Sequence, residues 1–413
     1  MISRLLSALL PEPRPPSSRQ PITRIFLDVS TIIHGDARTG IQRVVRAICE
    51  QLSVGDHGVQ IFAVAASKRS AFRIVNTPYL PEVPCDEGAG GPLALRDGDA
   101  FVGLDLSAHL LFRHRRQLRR WRRAGAVVGI VVYDLLPYRR PDWFNARTSK
   151  VFRRWLSVIG NQADLVLPIS QTVGADLRGY LERAFPRRAR HIRSEVLRLG
   201  GSIKGTMSSC GMPQNAVEII DALRSRSTVL MVGTIEPRKG HAVALAAHHQ
   251  LWSRSPAYAP YLVIVGKPGW KTESLQESLS ALSLESHGAL WLPMVSDEFL
   301  DMLYRECAMV LVASFDEGYC LPVHEALAHG KAVLARDLPV LREFDSPLMR
   351  FFSDDSATSL GKEILAQSKS HKAASQSSED DGWERAAMTL VTAVLRLRQS
   401  MSHAGETSDR PVI

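Results

Sequence analysis

Two glutamates eight positions apart, Glu317 and Glu325, are the residues of this chain best placed to do chemistry. They belong to SFDEGYCLPVHEALAHG, residues 314–330, which follows a short apolar run. Such a run is typical of a strand buried on both faces of a parallel sheet. Pro322 favours the start of a helix and Gly330 its end. The pattern therefore predicts Glu317 in the loop at the carboxyl end of a strand, where open α/β sheets bind ligands, and Glu325 in the next helix.

The loop between the two glutamates predicts an anion site. Backbone N–H groups at a helix N-terminus attract phosphate, and here they would come from Gly318, Tyr319, Cys320 and Leu321. The same crevice would then offer phosphate donors and two carboxylate acceptors for sugar hydroxyls. The alternative is that one glutamate only stabilises its helix N-terminus and the other is a solvated loop residue.

A second phosphate candidate is VGTIEPRKG, residues 232–240, which contains Gly233, Thr234, Arg238 and Lys239. The motif falls between a predicted strand and a predicted helix, where two cations beside helix N–H groups can hold a nucleotide diphosphate. Fixed cations stabilise the charge that develops on a leaving phosphate without having to reorganise. The alternative is a solvated Arg-Lys pair before a helix.

Three further candidates lie in the first half of the chain. Gly40 follows the first predicted strand and would let the backbone approach a diphosphate, or it is an ordinary turn glycine. Arg43 is either a phosphate ligand or a solvated helix residue. Asp134 ends a predicted strand and is a candidate catalytic contact to the sugar or the acceptor, with helix capping as its alternative.

These motifs together resemble the retaining glycosyltransferases of family 4. EGYCLPVHEA at 317–326 resembles that family's E-x7-E signature, and the match covers most of residues 24–400 in the expected order. In detail the motifs look most like bacterial mannosyltransferases that build lipopolysaccharide or exopolysaccharide. The other blocks that resemble the family are at 36–48, 131–144, 163–180, 232–240 and 338–344.

The resemblance implies the GT-B fold, in which two Rossmann-like domains face each other across a cleft. It implies that Glu325 accepts hydrogen bonds from ribose hydroxyls and that Glu317 lies near the transferred sugar. The anomeric configuration would be retained, either by same-face attack or through a covalent carboxylate intermediate. We expect GDP-mannose as donor, with a UDP-sugar as the alternative, a lipid-linked or oligosaccharide acceptor, and no cofactor.

Three residues depart from the family pattern. Tyr133 stands where many relatives have His, Thr234 where an Arg is frequent, and Cys320 where Gly is usual. If the last position needs a positive φ, a cysteine there is strained. An inactive nucleotide-sugar-binding scaffold is therefore one alternative function, and an isomerase or hydrolase of the same fold is another.

The alternation of apolar strands with amphipathic helices indicates parallel, helix-covered sheets, and 413 residues are enough for two cores. The predicted strands are 25–30, 59–66, 100–106, 127–134, 165–170, 196–199, 228–232, 261–265, 289–292, 309–313 and 332–335. The predicted helices of the first half are near 41–53, 107–123, 142–161 and 171–184. The predicted divisions are a disordered N-terminus at 1–20, an acceptor domain at 21–200, a linker at 201–226, a nucleotide-sugar domain at 227–382, a returning helix at 383–399 and a disordered tail at 400–413.

The five cysteines are odd in number and scattered, which indicates a reducing compartment and neither a disulfide framework nor a metal site. Asp97 and Asp99 flank a glycine before a predicted strand, so they indicate a turn. We therefore predict no catalytic metal. With no apolar stretch long enough to span a bilayer, we expect a cytoplasmic protein, peripheral at the inner face of the plasma membrane.

The net charge of +9 is local, because residues 113–123 and 183–193 hold twelve arginines between them. If the first stretch is helical, arginines 113, 116, 120 and 123 share one side, and 115, 119 and 122 form a neighbouring row. We predict that it docks on an anionic membrane or a lipid-diphosphate acceptor, with a solvated basic helix as the alternative. Nucleic-acid binding is disfavoured, because the stretch lacks aromatic stacking pairs.

Overall fold

The computed structural model describes residues 20–35, 39–80, 91–201, 211–369 and 382–406, which form two α/β domains. The first domain contains a seven-stranded sheet in the order β3-β2-β1-β4-β5-β6-β7. Its strands are β1 (Arg24–Asp28), β2 (Gln60–Ala65), β3 (Arg73–Ile74), β4 (Asp99–Gly103), β5 (Val127–Val132), β6 (Leu165–Pro168) and β7 (Arg193–Ser194). Only β3 pairs antiparallel to its neighbour. Its helices are α1 (Ser30–His34), α2 (Gly40–Ser53), α3 (Ala108–Leu111), α4 (Arg115–Arg123), α5 (Leu136–Arg139), α6 (Ala146–Gln162), α7 (Gln171–Ala184) and α8 (Pro186–Ala189).

The second domain contains a six-stranded parallel sheet in the order β10-β9-β8-β11-β12-β13. Its strands are β8 (Thr228–Val232), β9 (Tyr261–Val265), β10 (Ala289–Leu292), β11 (Met309–Val312), β12 (Ala332–Arg336) and β13 (Met349–Phe352). Its helices are α9 (Ala216–Ser225), α10 (His241–Arg254), α11 (Glu273–Ser280), α12 (Leu284–His287), α13 (Asp297–Glu306), α14 (Leu321–Ala328) and α15 (Ala357–Lys369). In both sheets the strand order reverses beside the first strand of the domain. The reversal lies between β1 and β4 in the first sheet and between β8 and β11 in the second. Ligands bind outside the carboxyl ends of the strands at such a point.

The central strands are buried on both faces, as continuous apolar runs predict. All six residues of β5 and all four of β11 are buried. Both sheets therefore separate two apolar layers, one on each face, and helices complete those layers. This packing fixes the strand ends from which the functional loops emerge.

The last described helix, α16 (Gly382–Glu406), returns to the first domain and packs against α2. Leu390 and Val394 enter the core of that domain. Arg398 is buried, pairs with Asp97, and donates from Nε to the carbonyl oxygen of Gln20 at 2.7 Å. The prediction of disorder from residue 400 is wrong as far as 406, because the helix continues; 1–19 and 407–413 lie outside the described residues.

Two secondary-structure predictions of the first half are wrong. No strand forms at 196–199; the edge strand is Arg193–Ser194. Leu197 and Leu199 are buried beyond its end, and the Leu197 N–H donates to the carbonyl oxygen of Pro168 in β6 at 2.8 Å. The helix predicted at 107–123 is interrupted between Leu111 and Arg115. The predicted linker at 201–226 contains α9 near its end, and 202–210 lie outside the described residues.

The two domains contact each other directly around the cleft. The carboxylate of Glu343 accepts from the backbone N–H and the hydroxyl of Thr172, at 2.7 and 2.6 Å. The Tyr319 hydroxyl donates to the carbonyl oxygen of Leu199 at 2.6 Å. At the rim, the Trp270 indole N–H donates to the carbonyl oxygen of Trp143 at 2.8 Å. Loops of the second domain are thereby held against the first.

Within the part of the chain that the structure describes, no helix is long and apolar enough to cross a membrane.

Candidate active site

A cleft of about 2130 Å³ separates the two domains at the carboxyl ends of their strands. All thirteen residues predicted from the sequence to form the catalytic and donor-binding site line it. They come from the segments that follow β1, β5, β8 and β11, including the beginnings of α2 and α14, at the carboxyl ends of the strands. The residues are Gly40, Arg43, Asp134, Gly233, Thr234, Arg238, Lys239, Glu317, Gly318, Tyr319, Cys320, Leu321 and Glu325.

The carboxylate of Glu317 is held by the two cations of the loop after β8. Lys239 Nζ lies 2.6 Å from Oε1 of Glu317, and Arg238 Nη1 lies 2.8 Å from Oε2. The hydroxyl of Ser314 donates to Oε1 at 2.7 Å. Arg238 also pairs with Glu236 at 2.9 Å. The two sequence motifs therefore form one charged cluster at the switch point of the second sheet.

Electrostatics favour the charged forms of Glu317 and Arg238 in this cluster. Burial would raise the pKa of Glu317, but Lys239 and Arg238 outweigh burial and lower that pKa to about 2. Burial lowers the pKa of the Arg238 guanidinium, but Glu317 and Glu236 outweigh it, so that pKa is raised. A fixed carboxylate beside two fixed cations can stabilise opposite charges developing on a sugar and on its leaving phosphate.

The carboxylate of Glu325 is bound by side chains of both domains. Arg43, from α2 of the first domain, pairs with Oε1 of Glu325 and with Oδ1 of Asp297, the latter at 3.2 Å. The hydroxyl of Tyr304 donates to Oε2 of Glu325 at 2.5 Å. Arg43 is therefore not a solvated helix residue. Burial lowers its pKa, but Glu325 and Asp297 outweigh burial and raise it.

The loop between the glutamates has the strained conformation that the cysteine substitution suggested. Cys320 has φ 79° and ψ 73°, in the left-handed region, and immediately precedes α14. A non-glycine residue there costs about 1–3 kcal/mol. Gly318 is required by close packing, because a Cβ at that position would lie 2.1 Å from the carbonyl oxygen of Tyr133. The loop thus touches the first domain through its backbone.

Gly40 and Gly233 differ in their need for glycine. Gly40 begins α2, and a Cβ there would meet Leu321 Cδ1 at 3.6 Å, an ordinary contact. The space around position 40 therefore does not require a glycine. Gly233 has φ 152° and lies beside the Lys239 side chain, whose Cε would be 3.5 Å from an added Cβ. A diphosphate role for either glycine stays a prediction.

Four further side chains of this site were not identified as site residues from the sequence. Ser314 and Glu236 hold Glu317 and Arg238, while Tyr304 and Asp297 complete the surroundings of Glu325 and Arg43. Asp297 is the first residue of α13. Its Oδ2 atom is buried and has no hydrogen-bond partner within the described ranges.

Asp134 lies at the boundary of the cleft with the first domain. Its Oδ1 accepts from the backbone N–H of Leu136 at 3.0 Å, so it does cap a turn. Burial raises its pKa to about 6, against the lowering effect of Arg238. Its carboxylate therefore titrates much closer to neutral pH than an ordinary aspartate does.

We expect kcat/KM for sugar transfer to fall below about pH 6, because protonation removes a hydrogen-bond acceptor at Asp134. The pH profile of Asp134→Asn should lack this acid limb and run flat at a reduced rate, with an unchanged melting temperature. An acid limb that persists unchanged in the variant would show that another group titrates.

Among the residues that the structure describes, no three His, Cys, Asp or Glu side chains are grouped as metal ligands. Asp97 and Asp99 are engaged by Arg398 and Arg24. Independence of divalent metals stays a prediction.

Comparison with known proteins identifies the domain type. Residues 218–366 match the family described as glycosyl transferases group 1. The chain is 34% identical over 349 residues to the serotype-specific mannosyltransferase WbdA of Escherichia coli. This aligned region covers 83% of this chain and 42% of WbdA. The chain thus spans about two fifths of the length of the WbdA proteins that it matches.

Solved structures give the fold. Sucrose-phosphate synthase of Thermosynechococcus elongatus superposes with a TM-score of 0.58 at 17% identity, over 94% of this chain and 99% of that one. Anabaena HepE in complex with UDP superposes with a TM-score of 0.54 at 16% identity, over 94% and 100%. The chain is a GT-B protein whose second domain is a group 1 glycosyltransferase domain.

Proposed function

We propose that this protein is a retaining mannosyltransferase that moves mannose from GDP-mannose to a lipid-linked or polysaccharide acceptor of the cell surface. The observation that carries the proposal is the cluster in which Glu317 meets Lys239 and Arg238 in the interdomain cleft. The similarity to a serotype-specific mannosyltransferase supports mannose as the sugar and a surface glycan as the product.

The order of charged groups along the cleft supports one orientation of the bound nucleotide sugar. The sugar would lie at Glu317, the diphosphate at Lys239 and Arg238, and the ribose at Glu325. Asp297 shares Arg43 with Glu325, which places Asp297 on the ribose side of the site, away from the sugar. The nucleotide base would therefore lie near Asp297.

The unpartnered Oδ2 of Asp297 supports guanine as that base. Guanine presents two adjacent donors, N1–H and the exocyclic amino group, whereas uracil presents one N–H between two carbonyl oxygens. A carboxylate oxygen left without a donor in a buried site is unfavourable. A guanine edge would supply that donor, and the carbonyl oxygens of uracil would repel the carboxylate.

Asp297→Asn should raise the Kd of GDP by about tenfold or more, because one charge-assisted hydrogen bond is lost. The Kd of UDP should change little. Calorimetric titration of both nucleotides into wild type, Asp297→Asn and the exposed neighbour control Glu298→Gln measures this. Tighter binding of UDP than of GDP by wild type would contradict the choice of guanine.

We also propose that transfer needs no divalent ion, because Lys239 and Arg238 take the place of a metal at the diphosphate. Activity should survive EDTA.

We further propose that α4 docks the protein on an anionic membrane surface. Its buried face carries Leu118 and Trp121. Arg122 pairs with Asp164 at 2.7 Å and so belongs to the fold. Its exposed arginines are Arg116, Arg119, Arg120 and Arg123. Each can contribute about 1 kcal/mol next to an anionic bilayer.

Reversal of these four arginines to glutamate should abolish co-sedimentation with phosphatidylglycerol vesicles while leaving GDP binding unchanged. The matched control reverses Arg183, Arg187, Arg190 and Arg193, which are also exposed and give the same change in net charge. Equal loss of vesicle binding in both variants would indicate a general charge effect and would exclude α4 as the docking surface.

A further inference from the structure

Basic side chains from three segments of the first domain converge on one wall of the cleft, outside the donor cluster. The segments are the loop after β2, the stretch from α3 to the start of α4, and the first half of α6. Their cleft-lining basic residues are Lys68, His109, Arg113, Arg115, Arg147 and Arg154. No part of the donor site described above uses them.

The wall is held in place by hydrogen bonds within the fold. Nε2 of His114 lies 2.8 Å from the carbonyl oxygen of Ser67, which ties the loop of Lys68 to the start of α4. Arg115 Nη1 donates to the carbonyl oxygen of Phe112 at 2.8 Å. The guanidinium groups of Arg115 and Arg154 lie 4.3 and 5.4 Å from the centre of the Phe112 ring.

The positive charge of this wall is not neutralised by the protein. Across the described ranges, Lys68, Arg113, Arg147 and Arg154 form no ion pair with a carboxylate. The carboxylates that line the cleft instead pair with or face Arg238, Lys239 and Arg43.

The pKa of His109 is consistent with a positive electrostatic potential at this wall. Burial lowers the pKa of its imidazole first, and Lys68, Arg113, Arg147 and His34 lower it further. A region in which nearby cations disfavour one more positive charge attracts an anion.

The surface between these cations is apolar. Ala108, Phe112, Val151 and Phe152 line the same part of the cleft, and Phe144 lies nearby. Phe144 packs against Trp270 of the second domain, with ring centres 5.9 Å apart. A ligand that fits this wall therefore carries an anionic group next to an apolar chain.

We propose that this wall binds the phosphate or diphosphate of an amphiphilic acceptor, an isoprenyl diphosphate glycoside. The assignment of that ligand as the acceptor depends on the proposed function. The geometry divides the arginine stretch 113–123 into two parts. Arg113 and Arg115 face the cleft and hold the diphosphate, while the exposed arginines of α4 face the membrane from which the lipid comes.

Farnesyl diphosphate, inorganic pyrophosphate and GDP are titrated separately into three proteins. These are wild type, Arg113→Ser/Arg147→Ser, and the control Arg187→Ser/Arg190→Ser, which removes the same charge from the exposed surface elsewhere on the first domain. The cleft pair should weaken farnesyl diphosphate binding by at least about tenfold, through the loss of charge-assisted hydrogen bonds. GDP binding should stay within about twofold in both variants, which also reports an intact fold.

Pyrophosphate should bind wild type at least about tenfold more weakly than farnesyl diphosphate does, because the apolar contacts are missing. Unchanged farnesyl diphosphate affinity in the cleft pair, or an equal loss in the control pair, would overturn the site. Equal affinity for pyrophosphate would overturn the amphiphilic ligand in favour of a free phosphate compound. If GDP and GDP-mannose fail to bind wild type while the farnesyl diphosphate results hold, the proposed function fails and the anion site stands.

Discussion

Glu317→Gln should lower kcat by on the order of 10²–10³-fold while changing nucleotide affinity by less than about tenfold. The variant keeps the size of the side chain and removes its charge. In wild type that charge is fixed between Lys239 and Arg238, with a pKa of about 2. A carboxylate held in this way stabilises the positive charge that develops on the sugar in the transition state, which the ground state lacks.

Single-turnover rates and GDP affinities of wild type, Glu317→Gln and Glu306→Gln test this expectation. Glu306 pairs with Arg224 on the outside of the same domain, so its variant controls for the loss of a carboxylate. Near-normal turnover by Glu317→Gln would show that the reacting carbon lies elsewhere in the cleft.

Lys239→Ala should lower kcat/KM by on the order of 10²–10³-fold and also raise the Kd of GDP by about tenfold or more. Its ammonium would contact the diphosphate both when the donor binds and when the bond to the sugar breaks, so both quantities should suffer. Loss of the ammonium also leaves Glu317 with Arg238 as its remaining cation. The pKa of Glu317 should then rise, because Lys239 is the largest of the groups that lower it.

Lys239→Arg should restore part of the affinity but less of the turnover, because a planar guanidinium cannot reproduce a compact ammonium. Lys362→Ala, on an exposed face of α15, is the control for loss of a lysine. A Lys239→Ala protein with wild-type GDP affinity would remove this residue from the donor site.

The strands of the second domain were predictable because their signals are local. The bounds of β8, β9 and β10 agree with the sequence prediction, since each is an apolar run between polar or turn-forming segments. Strand β13 was missed because MRFF alternates a charge with apolar residues and is only four residues long. The edge strand β7 consists of Arg and Ser, which do not favour a strand. The prediction placed the strand at 196–199 because the neighbouring leucines lie there.

The partners inside the site were less predictable than the site itself. The sequence predicted Glu317 and Lys239 in loops at the carboxyl ends of two strands of the same sheet. Their presence in one cleft follows from that placement. That Arg43 pairs with Glu325 did not follow, because 282 residues separate them and the contact depends on how the domains face each other. The partner of a charge is set by tertiary geometry, whereas its place at a strand end is set by local sequence.

The arginine stretch shows the same limit. The charge count showed that the stretch is basic, but not which arginines face the cleft and which are exposed. The buried side chains Leu118 and Trp121 set the orientation of α4. Arg113 lies in the break before α4 and lines the cleft, and the sequence prediction of one continuous helix did not include this break.

Retaining mannosyl transfer can be tested by incubating the protein with GDP-mannose and a mannose-terminated acceptor on an apolar aglycone, and by analysing the products by NMR. We expect α-linked mannosylated acceptor and GDP in equal amounts, since GDP-mannose is itself α-linked and the configuration is retained. A β-linked product, or GDP released equally fast without acceptor, would contradict it.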